Sequence, residues 1–219
     1  MRRFSALELL VSLVFFIVAA PFLNALRHGE LIRSALLTLV LLSAVAVVAE
    51  SRRMLIIAVV LATPALAGKW ANHFRPDLVP AEFFLIPSLV FVLFAVLHLL
   101  RFILRVPRVD AQVLSAAASN YLMIGLFWTF VYLLLVEMAP DAFSVSARAG
   151  SEGLMDAFNA LYFSFVTLNT LGYGDITPVS RLARMLSILE ATTGMFYMSM
   201  VIARLVAIYS SERIVKGRD

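Results

Sequence analysis

The sequence contains no cysteine and few charged side chains. None of its 219 residues is Cys, and only 15% are Asp, Glu, Lys or Arg. The lack of cysteine excludes disulfides, thiol catalysis and thiolate metal sites. The three histidines, His28, His73 and His98, are scattered without the spacing of metal ligands. No nucleophile–base pair or carboxylate pair stands out, so we expect neither an enzyme nor an organic cofactor.

Hydrophobic residues, by contrast, make up 62% of the chain, which is far above their share in soluble domains. The formal net charge is +4, from 18 Lys and Arg against 14 Asp and Glu. In a soluble protein this excess would suggest nucleic acid as a partner. Here the basic residues punctuate apolar runs, which is typical of topology signals. We therefore predict an all-α membrane protein surrounded by lipid, with no nucleic-acid partner.

Six apolar runs approach or exceed the roughly 17–25 residues that span a membrane. The first follows Arg2 and Arg3 and is longer than the core of a secretory signal, so we expect it to be retained. Pro21 predicts a kink in the first run, and Pro64 lies in the short third run. The predicted spans cover about 6–26, 31–49, 54–68, 83–104, 119–137 and 177–209.

The polar residues between these runs predict the connections. The stretch 69–82, with Lys69 and Arg75, indicates a loop, and Pro107–Ala118 is typical of a short interfacial helix. A polar turret is expected over Ala139–Gly153. The predicted units are a four-helix transmembrane domain over 1–106, a linker helix over 107–118, a second membrane domain over 119–211 and a short tail over 212–219.

The positions of the basic residues predict the orientation of the chain. With the N-terminus inside, eleven of the 18 Lys and Arg side chains lie on inner flanks and seven on outer flanks. Basic residues favour the cytoplasmic side of short loops. We therefore expect both termini in the cytoplasm and the turret outside.

One stretch, Thr167–Asp175, interrupts the pattern of apolar runs. It carries Gly172, Gly174 and several polar groups into a region that is otherwise apolar. Lipid tolerates irregular backbone at membrane depth only where protein buries it or where it lines a watery path. Glycines at alternate positions can adopt φ values closed to other residues, so that successive carbonyls can turn toward one axis. The stretch is therefore predicted to line a pore.

The residues before this stretch predict a short re-entrant helix. The segment 154–168 is apolar but too short to span, and we expect Ser151 to be its N-cap with Glu152 and Asp156 in the first turn. Its C-terminal partial negative charge would point at the pore and favour a cation. After the stretch, Thr177 and Pro178 predict the N-cap and first turn of the last span.

The interrupting stretch resembles the selectivity filter of potassium channels, on the residues Thr170-Leu171-Gly172-Tyr173-Gly174, here called the filter segment, followed by Asp175. The resemblance runs from Tyr121 to about Val206 and is to the pore module of the voltage-gated-like superfamily, in its six-helix prokaryotic form. It implies six transmembrane helices, a re-entrant pore helix and a filter loop in a prokaryotic inner (plasma) membrane. Because the chain has one filter segment and a closed ring needs four, it also implies a homotetramer.

The resemblance further implies where potassium ions bind. Rings of carbonyl oxygens from Thr170, Leu171, Gly172 and Tyr173 would replace the water shell of the ion, and the Thr170 hydroxyl would form the innermost ring. Asp175 would lie at the outer mouth. Gly194, which follows in the last span, matches the position of the family's gating hinge.

The last span leaves three interpretations open. Gly194 is either that hinge or a site of close packing with a neighbouring helix. Arg204 either contacts the linker helix or snorkels to the inner interface. Four apolar residues at helical spacing from Gly194 either line a cavity and inner gate or pack as in an ordinary helix: Met195, Met198, Ile202 and Val206.

The sequence departs from the family at two positions behind the filter segment. Many relatives have a Glu four residues before the filter threonine, where this chain has Val166, and a Trp three residues further back, where it has Phe163. Asp175 would therefore lack its usual partners unless Tyr162 reaches it. Leu171 stands where valine is commoner, and its side chain is expected to face away from the ions.

The function predicted from these features is passive potassium conduction with little intrinsic voltage sensing. The fourth span has no Lys or Arg before Arg101, and Arg101, Arg105 and Arg108 at its inner end are explained by anchoring. The alternatives are a non-conducting or modulatory subunit of a hetero-oligomeric channel, and a voltage-gated potassium channel. A potassium transporter subunit, which would carry repeated loops in one long chain, fits less well.

Overall fold

Helices form most of the chain in the computed structural model, which describes residues 5–23, 26–49, 51–75, 80–106, 110–146 and 154–216. The seven α-helices are α1 Ser5–Leu23, α2 Gly29–Val48, α3 Arg52–Phe74, α4 Glu82–Arg105, α5 Ala111–Met138, α6 Ala157–Leu168 and α7 Arg181–Lys216. Across these described residues, all except α6 are long and apolar enough to cross a membrane. The prediction of an all-α membrane protein with six spans is confirmed. The ends of α1, α2 and α4 lie within three residues of their predicted positions.

The first helix shows how the pattern of the sequence produces this packing. Its buried residues recur every three or four positions, as expected for one face of a helix: Ala6, Leu9, Leu13, Phe16, Ala20 and Leu23. Large apolar side chains cover the other face, among them Val11, Phe15 and Phe22, and remain exposed. An apolar exposed face is what lipid contact requires of a spanning helix.

The four N-terminal helices pack in chain order and then against α5. Helix α1 contacts α2, α2 contacts α3, and α3 contacts α4, while α1 and α4 also contact α5. The Ser119 hydroxyl of α5 donates to the Ala6 carbonyl over 3.2 Å. Helix α4 ends at Arg105 and α5 begins at Ala111, so a short connection joins the four-helix unit to the helix against which it packs.

The third helix is longer than predicted, and the predicted loop over 69–82 is wrong for its first six residues. Helix α3 continues to Phe74. The ammonium group of Lys69 lies 4.9 Å from the centre of the Phe84 ring. This cation–π contact stabilises the additional turns of the helix. Trp70 donates from Nε1 to the Thr38 hydroxyl over 3.2 Å. These partners on α2 and α4 hold polar side chains that a sequence pattern assigns to a loop.

The separate interfacial helix predicted over 107–118 is also wrong. Residues 111–138 form the single helix α5, and 107–109 lie outside the described residues. The Asp110 carboxylate caps this helix by accepting from the Val113 backbone N–H over 2.9 Å. No proline or glycine interrupts the chain from Ala111 to Ile124, so nothing ends a first helix before the span begins.

A two-stranded sheet joins the turret to the chain after the filter segment. A 3₁₀ turn over Pro140–Ala142 leads into β1, Phe143–Val145, which pairs antiparallel with β2, Ile176–Pro178. Thr177 and Pro178 therefore lie in a strand, and their prediction as a helix start is wrong. The N-cap is Ser180, whose hydroxyl accepts from the Ala183 N–H over 3.1 Å. Helix α7 then continues to Lys216, through most of the predicted tail.

The re-entrant helix α6 begins three residues later than predicted, at Ala157. Its N-cap is Asp156, whose carboxylate accepts from the Asn159 N–H over 2.8 Å. The Asn159 side chain donates in turn to the Leu154 carbonyl over 2.7 Å, which keeps the preceding residues out of the helix. Ser151 and Glu152 lie outside the described residues. Helix α6 packs between α5 and α7, and this placement positions the filter segment.

Candidate functional site

The backbone of the filter segment alternates between two conformations. Thr170 has φ +57°, Gly172 has φ +57° and Gly174 has φ +79°. Elsewhere in the described chain no residue other than glycine has a positive φ, so Leu171 and Tyr173 lie between them with negative φ. Alternation of the sign of φ turns successive carbonyls to one side of the chain, as the spacing of the glycines predicts.

Thr170 adopts this conformation although threonine is β-branched, which makes a positive φ a genuine outlier. Two backbone hydrogen bonds hold the chain there. The Thr170 N–H donates to the Thr167 carbonyl over 2.9 Å, and the Leu171 N–H donates to the Val166 carbonyl over 2.9 Å. The end of α6 thus imposes the strained start of the filter segment.

One chain leaves the filter segment uncovered. The side chains of Leu171 and Tyr173 are 57% and 67% exposed. A β-carbon added at Gly172 or Gly174 would meet no atom of this chain within 4 Å. The segment therefore depends on α6 and β2 at its two ends rather than on packing along its length.

Asp175 has a hydrogen-bond partner, although the Glu and Trp that many relatives place behind the filter are absent from this chain. The Tyr162 hydroxyl donates to Asp175 Oδ2 over 2.7 Å, and the Ile176 N–H donates to Oδ1 over 3.1 Å. The Asp175 carbonyl accepts from the Ser146 N–H over 2.8 Å. Partial burial, and then the hydrogen bond with Asp175, raises the pKa of Tyr162 to about 12. The phenol therefore stays protonated and remains a donor at neutral pH.

The two departing residues, Phe163 and Val166, are both buried. The Phe163 ring packs edge-on against Tyr132 of α5 and Phe143 of β1, with centroids 5.0 Å and 5.3 Å away. Such edge-to-face contacts are favourable because the positive edge of one ring meets the negative face of the other. Phe163 therefore packs α6 against both α5 and strand β1.

A fully buried carboxyl group, that of Glu190 of α7, lies behind α6. The Ser164 hydroxyl lies 2.6 Å from Glu190 Oε1, and the Tyr132 hydroxyl is hydrogen-bonded to Oε2. Sequence reasoning missed this residue. The signal was available, since Glu190 is an acidic residue in the middle of an apolar span, and such residues are rare and usually functional.

Gly194 is a site of close packing. A β-carbon at this position would lie 2.3 Å from the carbonyl oxygen of Leu168 and 3.0 Å from its Cδ1. Leu168 is the last residue of α6, so the backbones of α6 and α7 touch where the filter segment begins. The second of the two interpretations of Gly194 therefore has a contact to support it, and the hinge stays a prediction.

The four candidate cavity residues lie on an exposed face of α7. Met195, Met198, Ile202 and Val206 are all exposed and recur every three or four positions. The buried face of the helix carries a separate series: Ala183, Glu190, Gly194, Tyr197 and Val201. Packing within the same chain therefore does not explain the four residues, and their role as cavity lining stays a prediction.

Arg204 contacts the end of α4. Its Nη2 donates to the Val106 carbonyl over 3.1 Å. About two turns earlier on α7, the Tyr197 hydroxyl donates to the Ala117 carbonyl of α5 over 2.7 Å. Arg204 therefore ties α7 to the four-helix unit, and the two interpretations of this residue, contact with the linker helix and snorkelling, stay predictions.

The part of the chain that contains the filter segment is similar to known ion channels. A family described as "Ion channel" matches residues 120–211, which contain most of α5, all of α6, the filter segment and most of α7. Protein LctB of Bacillus caldotenax is 30% identical over 100 residues, which are 45% of this chain and 74% of that protein. No solved structure gives a significant match.

Some of the similar proteins carry potassium in their names. The voltage-gated potassium channel Kch of Escherichia coli is 36% identical over 123 residues, which are 56% of this chain and 25% of that protein. The two-pore potassium channel 4 of Arabidopsis thaliana is 30% identical over 102 residues, which are 45% of this chain and 34% of that protein. The match thus spans about a third of the plant protein and a quarter of the bacterial one.

Proposed function

This chain belongs to the ion-channel family that matches residues 120–211, and we propose on that basis that it is a potassium-selective channel conducting passively down the gradient. Membership in a family of channels also supports the prediction that it is not an enzyme. The observation that carries the proposal is the alternating sign of φ along Thr170–Gly174. This backbone can present successive carbonyls to one line of ions.

The proposed assembly is a homotetramer in the cell membrane, with both termini in the cytoplasm. Four filter segments would surround one axis, with potassium bound by the carbonyls of Thr170 to Tyr173 and by the Thr170 hydroxyl. The exposed filter segment and the exposed apolar face of α7 support this assembly. Asp175 would lie at the outer mouth, and Met195, Met198, Ile202 and Val206 would line the cavity below.

The test is ion flux into liposomes that contain the purified protein alone. We expect potassium and rubidium to enter and sodium hardly at all, through a protein that runs as a tetramer in mild detergent. Gly172→Ala is the matched variant, since φ +57° is strained for any residue with a β-carbon while the added atom itself meets nothing. Its potassium flux should be lost.

Two outcomes would contradict the proposal. Equal potassium and sodium flux that survives Gly172→Ala would mean that ions do not pass along the filter segment. A tetramer without any flux would instead favour a non-conducting subunit that joins other chains.

A further inference from the structure

Glu190 lies where three helices of the matched region meet. Ser164 of α6 and Tyr132 of α5 supply the two hydroxyls that contact its carboxyl group. No Lys, Arg or His within the described ranges forms an ion pair with it, and it has no solvent exposure. A lone ionised carboxylate in such surroundings is strongly disfavoured.

The hydrogen atoms at this site can be counted. Ser164 Oγ lies 2.6 Å from Glu190 Oε1 and also 2.8 Å from the Gly125 carbonyl oxygen. With the contact between Tyr132 and Oε2, three hydrogen bonds are needed, but the two hydroxyls supply only two hydrogens. The third is available if Glu190 is a carboxylic acid that donates to Ser164, while Ser164 donates to Gly125.

Glu190 and Gly194 also set how α7 meets α6. They lie one turn apart on the same face of α7, and Ser164 and Leu168 lie one turn apart on α6. Glu190 contacts the Ser164 side chain, and Gly194 contacts the Leu168 carbonyl. Contacts on two successive turns therefore fix the height of α6 along α7, directly before the filter segment.

We propose that Glu190 is a positioning residue for the filter segment, acting as a neutral carboxylic acid that holds α6 at one height against α7 and α5. This inference rests on the proposed function, since it assigns Glu190 to the same filter segment. A sliding α6 would carry with it the hydrogen bonds from Thr170 and Leu171 to the last turn of the helix. The carbonyls of the filter segment would then lose their common line, and discrimination between ions would weaken before assembly does.

The experiment compares Glu190→Gln, Glu190→Leu and Ser164→Ala in liposomes, with Ser12→Ala as the control. Ser12 is a buried serine of the four-helix unit, and its hydroxyl donates to the Leu9 carbonyl of its own helix over 2.9 Å. The potassium-to-sodium permeability ratio is measured on tetrameric protein, because a general loss of stability lowers the yield of tetramer rather than this ratio. Infrared spectra of wild type and Glu190→Gln are compared for the C=O band of a protonated carboxyl group.

Glu190→Gln should keep the permeability ratio within about twofold of wild type, because an amide donates to Ser164 and accepts from Tyr132 as a carboxylic acid does. Glu190→Leu should lower the ratio about tenfold or more, and Ser164→Ala should lower it by a smaller factor. Ser12→Ala should not change it. The carboxylic acid band should be present in wild type and absent from Glu190→Gln.

A wild-type ratio in Glu190→Leu or, if that variant does not assemble, in Ser164→Ala would overturn the positioning role. A ratio as low in Glu190→Gln as in Glu190→Leu, or the absence of the carboxylic acid band, would overturn the neutral form. Failure of the proposed function is a different result, because wild type itself would then show no preference for potassium.

Discussion

The Tyr162 hydroxyl donates a hydrogen bond to Asp175 Oδ2 over 2.7 Å, which joins the middle of α6 to the residue that follows the filter segment. The same helix also holds the start of the segment, through the hydrogen bond from the Leu171 N–H to the Val166 carbonyl. Both ends of the filter segment are thus fixed to α6. In a chain without a carboxylate at position 166, the tyrosine takes over the contact with the aspartate.

Removing this hydroxyl with Tyr162→Phe should weaken the outer end of the filter segment. A hydrogen bond to a charged group contributes about 1–2 kcal/mol to stability when partly exposed. We expect a lower thermal midpoint of the tetramer and a potassium current that declines faster during sustained conduction. In an Asp175→Asn background the same substitution should have less effect, because the charged acceptor is already gone. Equal effects in both backgrounds would show that Tyr162 acts elsewhere.

The contribution of Tyr162 should not change with pH across the neutral and mildly alkaline range. The pKa of Tyr162 is raised to about 12, above its ordinary value of about 10. The stability that this raised pKa supplies is complete below about pH 10 and is lost as the pH rises through about 12. The difference in thermal midpoint between wild type and Tyr162→Phe should therefore be the same at pH 7 and pH 9. A difference that disappears by about pH 9 would mean that the phenol ionises well below its ordinary pKa of about 10, which would contradict the raised pKa.

Gly194→Ala separates close packing from a hinge. The added β-carbon would lie 2.3 Å from the Leu168 carbonyl, so α6 or α7 must shift. We expect the tetramer to lose about 1–3 kcal/mol of stability per subunit, although alanine favours helix more than glycine does. The measurement is thermal dissociation of the tetramer in detergent. Unchanged stability with a changed open probability would instead support the hinge.

The exposed face of α7 can be tested with cysteine, because the chain has none of its own. Met198→Cys and Ile202→Cys should react with a charged thiol reagent added from the cytoplasmic side of an open channel. Tyr197→Cys, one residue from Met198 but on the buried face, is the matched control and should stay unmodified. Reaction rates are measured by mass spectrometry of protein in liposomes. Faster reaction at position 197 than at 198 would place the cavity on the other face.

The parts of this structure that could be predicted from sequence are those set by local pattern. The six spans follow from runs of apolar residues, and the alternating φ values follow from the glycines at positions 172 and 174. The positive φ of Thr170 could not be predicted, because it is imposed by hydrogen bonds to the end of α6. Tyr162 could be suggested as a partner of Asp175 only through the resemblance, because it adjoins Phe163, which stands where many relatives have a Trp.

Several of the features that were missed depend on partners far away in sequence. Lys69 and Trp70 extend α3 through contacts with Phe84 and Thr38. The strand at Ile176–Pro178 exists because Phe143–Val145 lies beside it. Glu190 is held by helices whose contacting residues are 26 and 58 positions away. A pattern within one segment contains no information about such partners, whereas the runs of apolar residues that predict the six spans need none.

The final prediction concerns voltage, because six helices of this layout invite comparison with voltage-gated channels. A sensor needs charge that moves through the membrane field, and one elementary charge crossing it is worth about 2.3 kcal/mol per 100 mV. Helix α4 carries no Lys or Arg from Glu82 to Leu100. Its cations Arg101 and Arg105 are exposed at its C-terminal end, which is predicted to face the cytoplasm, and Arg108 lies outside the described residues.

Within the described residues, helices α1 to α3 place no carboxyl group in the middle of a span. A moving arginine needs acidic partners inside the membrane, yet Glu8 lies in the first turn of α1 and Glu30 in the first turn of α2, where it pairs with Arg33 over 2.7 Å. Anchoring at the cytoplasmic face explains Arg101 and Arg105 without any movement. Activation curves in planar bilayers should therefore correspond to fewer than about two charges per channel. They should not change in Arg101→Gln, since that arginine would stay outside the field in every state of the channel. A steep curve that flattens in this variant would identify α4 as a voltage sensor.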